Sequence, residues 1–135
     1  MSNKKLDQLI GQFENFLECW KQFNNSVNLA RGKMFSAEDE TQFLEVKSIL
    51  TQQLEVLYAA VEMATPSKDE VLQVVAAAPS LRYLSEMSEG ALRAIENNWH
   101  KIYIGLHSIV GQLKVKQLQD TDKPFFAGLL GGKKD

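Results

Sequence analysis

The sequence predicts an all-α protein, an antiparallel up-down four-helix bundle with a short, broken third leg, and three observations lead to that prediction. Three long segments repeat apolar residues at alternating steps of three and four, which is the spacing of a helix that buries one face. The connections between segments are short and contain residues that start or end helices. With 135 residues, of which 44% are hydrophobic and 24% charged, the chain is large enough for one globular domain with its own core.

The first helix is predicted from about residue 4 to residue 30. Its apolar positions form one seam along the helix: Leu6, Leu9, Phe13, Phe16, Trp20, Phe23 and Val27. Arg31 supplies positive charge at the C-terminal end, and Gly32 suits the left-handed residue that commonly follows a helix. We therefore expect the first helix to end at this point and to pack through its aromatic seam.

The second helix is predicted to begin near Ala37 and to be central to the bundle. Ser36 and Asp39 form a variant of the capping box, which satisfies free backbone groups at a helix start. Its apolar residues cover more than half of its circumference, as is typical of a helix that contacts two neighbours. Thr65-Pro66 is predicted to end it, because proline disfavours helical geometry in the preceding residue. The seam positions are Phe43, Leu50, Leu54, Leu57, Val61 and Ala64.

The third leg is predicted to be short and to break at Pro79. Ser67 and Glu70 form a full capping box before the apolar segment 71–78, and a second short helical piece is expected over 80–87. The last long helix is predicted over about 90–119 from the clearest period in the chain: Leu92, Ile95, Trp99, Ile102, Leu106, Ile109 and Leu113. Short connections between long helices make neighbours antiparallel, which gives the up-down order.

A linker and an apolar tail are predicted to follow the last helix. After Gln119 the apolar period stops, and residues 120–124, which end in a proline, are interpreted as a helix-ending linker. We therefore divide the chain into a helical bundle domain, residues 1–120, and a flexible C-terminal tail, residues 121–135. The tail carries four large apolar residues outside every helical period that we recognise: Phe125, Phe126, Leu129 and Leu130.

These four tail residues are the candidate partner-binding residues. So short a segment cannot build its own core, and large apolar side chains left in water cost free energy. The sequence is compatible with three ways of shielding these side chains from water. The tail folds back onto its own bundle, docks in a groove of another protein or a neighbouring subunit, or makes weak contact with a membrane surface beside Lys133 and Lys134.

Composition argues against several classes of function. The formal net charge is −2, so no basic field is present to hold nucleic acid. Cys19 is the single cysteine, which excludes an internal disulfide and suits a reducing cytoplasm. Neither a signal peptide nor a membrane span is expected, because no long uninterrupted apolar stretch occurs. We expect a cytoplasmic protein.

Metal and nucleophile chemistry are also not expected. Metal-binding bundles use Glu-x-x-His on two helices, and the nearest arrangement here is Glu96 and His100, with Tyr103 and His107 along the same edge of the last helix. Cys19 borders the aromatic seam and has no histidine in its helix, which favours a buried, unreactive thiol. We expect no cofactor, no metal and no enzymatic activity.

One short motif is an exception. In His107-Ser108-Ile109-Val110-Gly111 the glycine lies one turn beyond the histidine on the same face and leaves the imidazole open to a partner. This His-x-x-x-Gly spacing resembles histidine phosphotransfer domains, which are four-helix bundles of similar size, and the resemblance covers five residues. It implies phosphotransfer through His107. The family usually has Lys or Arg directly before the glycine, where this chain has Val110.

The function that we predict from the sequence is a non-enzymatic protein-protein interaction module. It would serve as an adaptor, a chaperone-like partner or a small assembly subunit, and it would use its helix faces and its apolar tail. The regular seams of the first and last helices suit packing within one chain or pairing between two, so a homodimer is compatible with them. Phosphotransfer through His107 is the alternative.

Overall fold

The computed structural model describes the backbone of residues 3–129 and the side chains of residues 4–119, and this part of the chain is all-α. Between residues 3 and 129 there are helices and connections but no strand, which confirms the predicted fold class. The helices are α1 (Asn3–Arg31), α2 (Ala37–Ala60), α3 (Lys68–Ala76), α4 (Leu81–Ser85) and α5 (Glu89–Leu129). The third leg is broken around Pro79 into α3 and α4, as predicted.

Both predicted capping boxes are present. At the start of α2 the Ser36 hydroxyl accepts from the Asp39 amide at 3.1 Å, and the Asp39 carboxylate accepts from the Ser36 amide at 2.9 Å. Ser67 and Glu70 make the same two bonds at the start of α3, at 3.1 and 2.8 Å. These bonds satisfy amides that have no partner within the helix, so the sequence specifies where each helix begins.

The end of α1 differs in detail from the prediction. The left-handed residue is Lys33, with φ 57°, and not Gly32. The Gly32 amide still donates to the Asn28 carbonyl at 3.2 Å, so helical hydrogen bonding continues one residue further than expected. The Lys33 ammonium donates to the carbonyl of Ser85, the last residue of α4. This tertiary hydrogen bond accompanies a backbone conformation that is uncommon for lysine.

Helix α2 ends earlier than predicted, at Ala60, and Val61 is already extended with φ −135° and ψ 132°. Val61 and Ala64 therefore do not continue the helical seam. The connection instead brings Pro66 into a buried position against α5, where a Cβ added to Gly105 would lie 3.0 Å from Cδ of Pro66. The Tyr58 hydroxyl donates to the Pro66 carbonyl, and burial raises the pKa of Tyr58 to about 12. The early end of α2 thus accompanies the tertiary packing of Pro66, which cannot be recognised from the sequence.

The helices form a closed ring of neighbours. Helix α1 packs most extensively, against α5 and α2, while α3 contacts both α2 and α5, and α4 lies against α1 and α2. Helix α2 contacts α1, α3 and α4, but the central helix is α1 and not α2 as predicted. Part of the wide apolar arc of α2 stays exposed, at Leu44, Ile49 and Val56. Contacts between α1 and α5 run in opposite directions along the two helices, because Glu14 pairs with Lys114 at 3.0 Å and Arg31 pairs with Glu96 at 2.8 Å. Helices α1 and α5 are therefore antiparallel.

Two tryptophans join α1 to α5 at the centre of the core. The indole N–H of Trp20 donates to the carbonyl of Trp99 at 3.1 Å, and the indole N–H of Trp99 donates to the carbonyl of Trp20 at 2.7 Å. Their rings are stacked with centroids 6.1 Å apart. The core positions on α1 and α5 include the predicted seam residues Phe13, Phe16, Trp20, Phe23, Val27, Leu92, Ile95, Trp99, Ile102 and Leu106. The predicted buried faces of both helices are thus confirmed.

Helix α5 continues past Gln119, where the sequence predicted its end, to Leu129. Backbone hydrogen bonds within a helix are local, so a helix does not have to end where its buried seam ends. A proline inside a helix such as Pro124 removes one backbone donor, which disfavours helix but does not forbid it. The side chains of Phe125, Phe126 and Leu129 lie outside the described residues, as does the whole of Leu130. Their role as partner anchors stays a prediction.

Candidate interaction surface

A second row of residues runs along α5 on the side away from the core. We call it the outer seam and define it as Ile104, Ser108, Gly111, Val115 and Leu118. These residues follow alternating steps of four and three, the spacing of positions that meet a partner helix in a coiled coil. At 100° per residue they lie within about 40° of a single line, opposite the buried seam. Helix α5 therefore carries two rows with heptad spacing, the buried seam and the outer seam on the opposite face.

The outer seam is open to solvent along its whole length. Ile104 and Val115 are each 56% exposed, and Leu118 is 57% exposed. Ser108 and Gly111 are also exposed, and a Cβ added to Gly111 would meet nothing within 4 Å. Small residues in a helical row allow the backbone of another helix to approach closely. The outer seam is thus a row of apolar residues whose middle positions, Ser108 and Gly111, have only small side chains or none.

The register of the outer seam continues into the predicted tail. Counting onward in the same steps from Leu118 reaches Asp122, Phe125 and Leu129, all within the backbone of α5. Two of the four predicted anchor residues, Phe125 and Leu129, therefore share a helix register with Ile104. The prediction from sequence does not include this row, because the buried period of α5 is the stronger one. The available signal was a second run of steps of three and four, offset onto the opposite face.

The backbone of α5 extends beyond the level of Asn3, the first described residue of α1. The Gln117 amide donates to the Asp7 carboxylate, which places these two positions side by side. Helix α1 begins at Asn3, just before Asp7, whereas α5 continues to Leu129. At 1.5 Å per residue the backbone of α5 therefore reaches roughly 12 Å past the level of Asn3.

Positive charge flanks the outer seam. Between Asn97 and Gln119 the chain has three lysines, Lys101, Lys114 and Lys116, and no Asp or Glu. Lys114 is paired with Glu14 at 3.0 Å and keeps 54% of its side chain exposed. Lys101 and Lys116 are exposed and make no ion pair with any residue whose side chain the structure describes. The face that α5 itself contributes from Asn97 to Gln119 is therefore basic, while α1 beside it contributes Glu14 and Asp7, which contact Lys114 and Gln117.

A row of rings lies beside the outer seam. Tyr103 stacks on Trp99 with centroids 5.0 Å apart, and His107 contacts Tyr103 edge-on at 4.6 Å. His100 and His107 are both exposed, so the imidazole of His107 is accessible. In the described part of the chain no three His, Cys, Asp or Glu side chains come close enough together to hold a metal ion.

Cys19 is half-buried on α1. Burial, and then the negative charge of Glu18, raise the pKa of its thiol. A raised pKa lowers the fraction of thiolate, which is the reactive form. This environment agrees with the prediction of an unreactive thiol, although the side chain is less enclosed than the sequence suggested.

A groove of about 590 Å³ lies at the end of the bundle, where the start of α1 meets Ala60 of α2 and Lys116 of α5. Its apolar lining includes Leu6 and Leu9, both half-buried. This groove is the place where a tail folding back onto its own bundle would find apolar surface. The helical course of α5 through Leu129 carries the chain past it.

Comparisons place no further constraint on the function. None of the helices between residues 3 and 129 is both long and apolar enough to cross a membrane. Comparison of the chain with known protein families, with curated proteins and with solved structures finds no match.

Proposed function

We propose that this chain is a non-enzymatic interaction module that docks a helix of a protein partner on the outer seam of α5. The observation that carries the proposal is the exposure of Ile104, Val115 and Leu118 in one heptad row opposite the core. Single exposed apolar residues are ordinary, whereas an aligned row of them on one helix resembles the surface that amphipathic helices use to pair. An adaptor or small assembly subunit in the cytoplasm fits this surface, and the lone thiol suits a reducing compartment.

The energetics indicate that the described part of the seam is not sufficient. Each of the three large residues is a little over half exposed, so covering it contributes about 1 kcal/mol, and together they contribute about 3 kcal/mol. Association costs at least about 4 kcal/mol in lost translational and rotational freedom. A stable complex therefore needs further anchors. Phe125 and Leu129 stand in the same register, which supports their predicted role.

The proposal is tested by charging the outer seam. Val115→Asp combined with Leu118→Asp places two carboxylates in the row without touching the core. Leu44→Asp combined with Val56→Asp is the matched control, because these α2 residues are similarly exposed, at 46% and 49%. We expect quantitative affinity capture to lose its specific partners with the α5 variant and to retain them with the control. Both variants should keep the thermal midpoint of the parent chain.

Equal capture by the α5 variant and the parent chain would contradict the proposal. Loss of partners in the α2 control alone would place the binding surface on α2. A lowered thermal midpoint in the α5 variant would show that these residues contribute to folding and are not free for a partner.

A second candidate function follows from the accessibility of His107. Its imidazole is exposed, and Gly111 one turn later leaves open space beside it, as phosphotransfer requires. Val110, at the position where the resembled family has a cation, is buried in the core. The test is incubation with acetyl phosphate, followed by mass spectrometry for acid-labile phosphate on His107. Phosphate that is absent from His107→Gln would support this function, and no phosphate on the parent chain would exclude it.

A further inference from the structure

We infer that the helix docked on the outer seam is acidic, with Glu or Asp at the positions that flank its own apolar row. This inference rests on the proposed function and names the chemistry of the partner. It comes from the charge around the seam. The described surface of α5 from Asn97 to Gln119 carries lysines on both sides of the row and no carboxylate.

The lysines stand where a docked helix would place its flanking residues. Viewed along α5, Lys101 lies on one side of the row and Lys114, which already pairs with Glu14 of α1, lies on the other, each about 60–80° from its centre. Flanking positions of paired helices form the ion pairs that select a partner. Lys101 has no carboxylate partner among the described side chains, so an acidic helix would supply one.

A second copy of the outer seam fits this surface less well. Two copies of α5 packed through the same row would bring lysine flanks against lysine flanks in either direction, and like charges at these positions are destabilising. An acidic helix removes this repulsion and gains pairing at the same positions. Charge complementarity therefore favours a different, acidic helix over self-association.

A helix also fits the shape of the seam better than a lipid surface does. The large apolar residues of the described seam occupy a narrow arc of about 40° on either side of one line, whereas helices that lie in a membrane surface have a broad apolar face. Ser108 and Gly111 make the centre of the row shallow, which permits the close approach of a second backbone. Both features match a partner helix.

The experiment uses the full chain and two synthetic amphipathic peptides as probes. The peptides share one heptad row of leucines and differ only in their flanking residues, which are all glutamate in one and all lysine in the other. Measured by fluorescence anisotropy, the glutamate peptide should bind at least about tenfold more tightly than the lysine peptide. Its affinity should fall as the salt concentration rises. Val115→Asp with Leu118→Asp should reduce its binding by a further factor of about ten or more.

Charge reversal supplies the decisive control. Lys101→Glu combined with Lys116→Glu leaves the apolar row intact and should reverse the preference, so that the lysine peptide binds more tightly. Circular dichroism should show an unchanged helical spectrum for this variant, since both lysines are exposed.

Three results would overturn the inference, and they separate it from the proposed function. Equal affinity for both peptides would mean that the seam takes a helix without regard to charge, so the proposed function would stand. No binding of the glutamate peptide up to about 1 mM would reject an acidic helix, and partner capture would then decide the proposed function by itself. A homodimer that Val115→Asp with Leu118→Asp dissociates, or binding only to phosphatidylcholine vesicles with about 30% phosphatidylserine, would identify a different occupant.

Discussion

Two glycines of α5 give a matched pair of substitutions with opposite expected effects. Gly111 is exposed in mid-helix, and a Cβ there would meet nothing within 4 Å. Alanine is favoured over glycine in a helix interior by about 1 kcal/mol, so Gly111→Ala should stabilise the chain by that amount. For a chain of this length the gain corresponds to a rise of about 3 °C in thermal midpoint.

Gly105→Ala offers the same gain in helix propensity but meets a neighbour. Its Cβ would lie 3.0 Å from Cδ of the buried Pro66, and a proline ring has little freedom to move. Overpacking of this kind costs about 1–3 kcal/mol, so the net effect should be a loss of up to about 2 kcal/mol. Differential scanning calorimetry should therefore place the midpoint of Gly111→Ala above the parent value and that of Gly105→Ala at or below it.

The same pair separates stability from binding. Gly111→Ala adds a methyl group at the centre of the outer seam, where the row has only small residues. It should therefore weaken binding of the glutamate peptide at least about fivefold while raising the thermal midpoint of the chain. Equal stabilisation by both alanines would refute the packing of Pro66 against α5. Unchanged peptide affinity in Gly111→Ala would refute close approach of a helix at this position.

The remaining predictions concern the core and the tail. Trp20→Ala and Trp99→Ala should each lower the free energy of unfolding by about 3–5 kcal/mol, because both indoles are buried and each donates to the other's backbone carbonyl. Urea midpoints close to the parental value in both variants would show that this face is not the core. Phe125→Ala combined with Phe126→Ala should abolish partner capture or self-association and leave the thermal midpoint nearly unchanged. A midpoint several degrees lower with capture intact would instead make the tail a structural cap.

Local chemistry and periodicity explain which parts of the fold the sequence predicts. Capping boxes act through bonds three residues apart, so Ser36 and Ser67 identify the starts of α2 and α3 without knowledge of the fold. The seams of α1 and α5 are legible for the same reason, since a repeated apolar spacing indicates one buried face.

Features that depend on distant contacts were predicted less well. The early end of α2 accompanies burial of Pro66 against Gly105, and the left-handed conformation of Lys33 accompanies a hydrogen bond to Ser85. Neither contact leaves a local pattern in the sequence. The outer seam is different, because its spacing is present in the sequence, but only the structure shows that Ile104 and Leu118 are exposed and do not belong to the core.

The most direct test of the outer seam as a binding surface is site-specific photo-crosslinking in the cell that produces the protein. A photoreactive amino acid is placed at Val115 or Leu118 on the outer seam, and at Val56 on α2 as the control with similar exposure. We predict that both α5 positions yield the same discrete adduct, that the adduct disappears when Ile104→Asp is added, and that Val56 yields none. Adducts from Val56 together with none from Val115 or Leu118 would contradict the assignment of partner binding to α5.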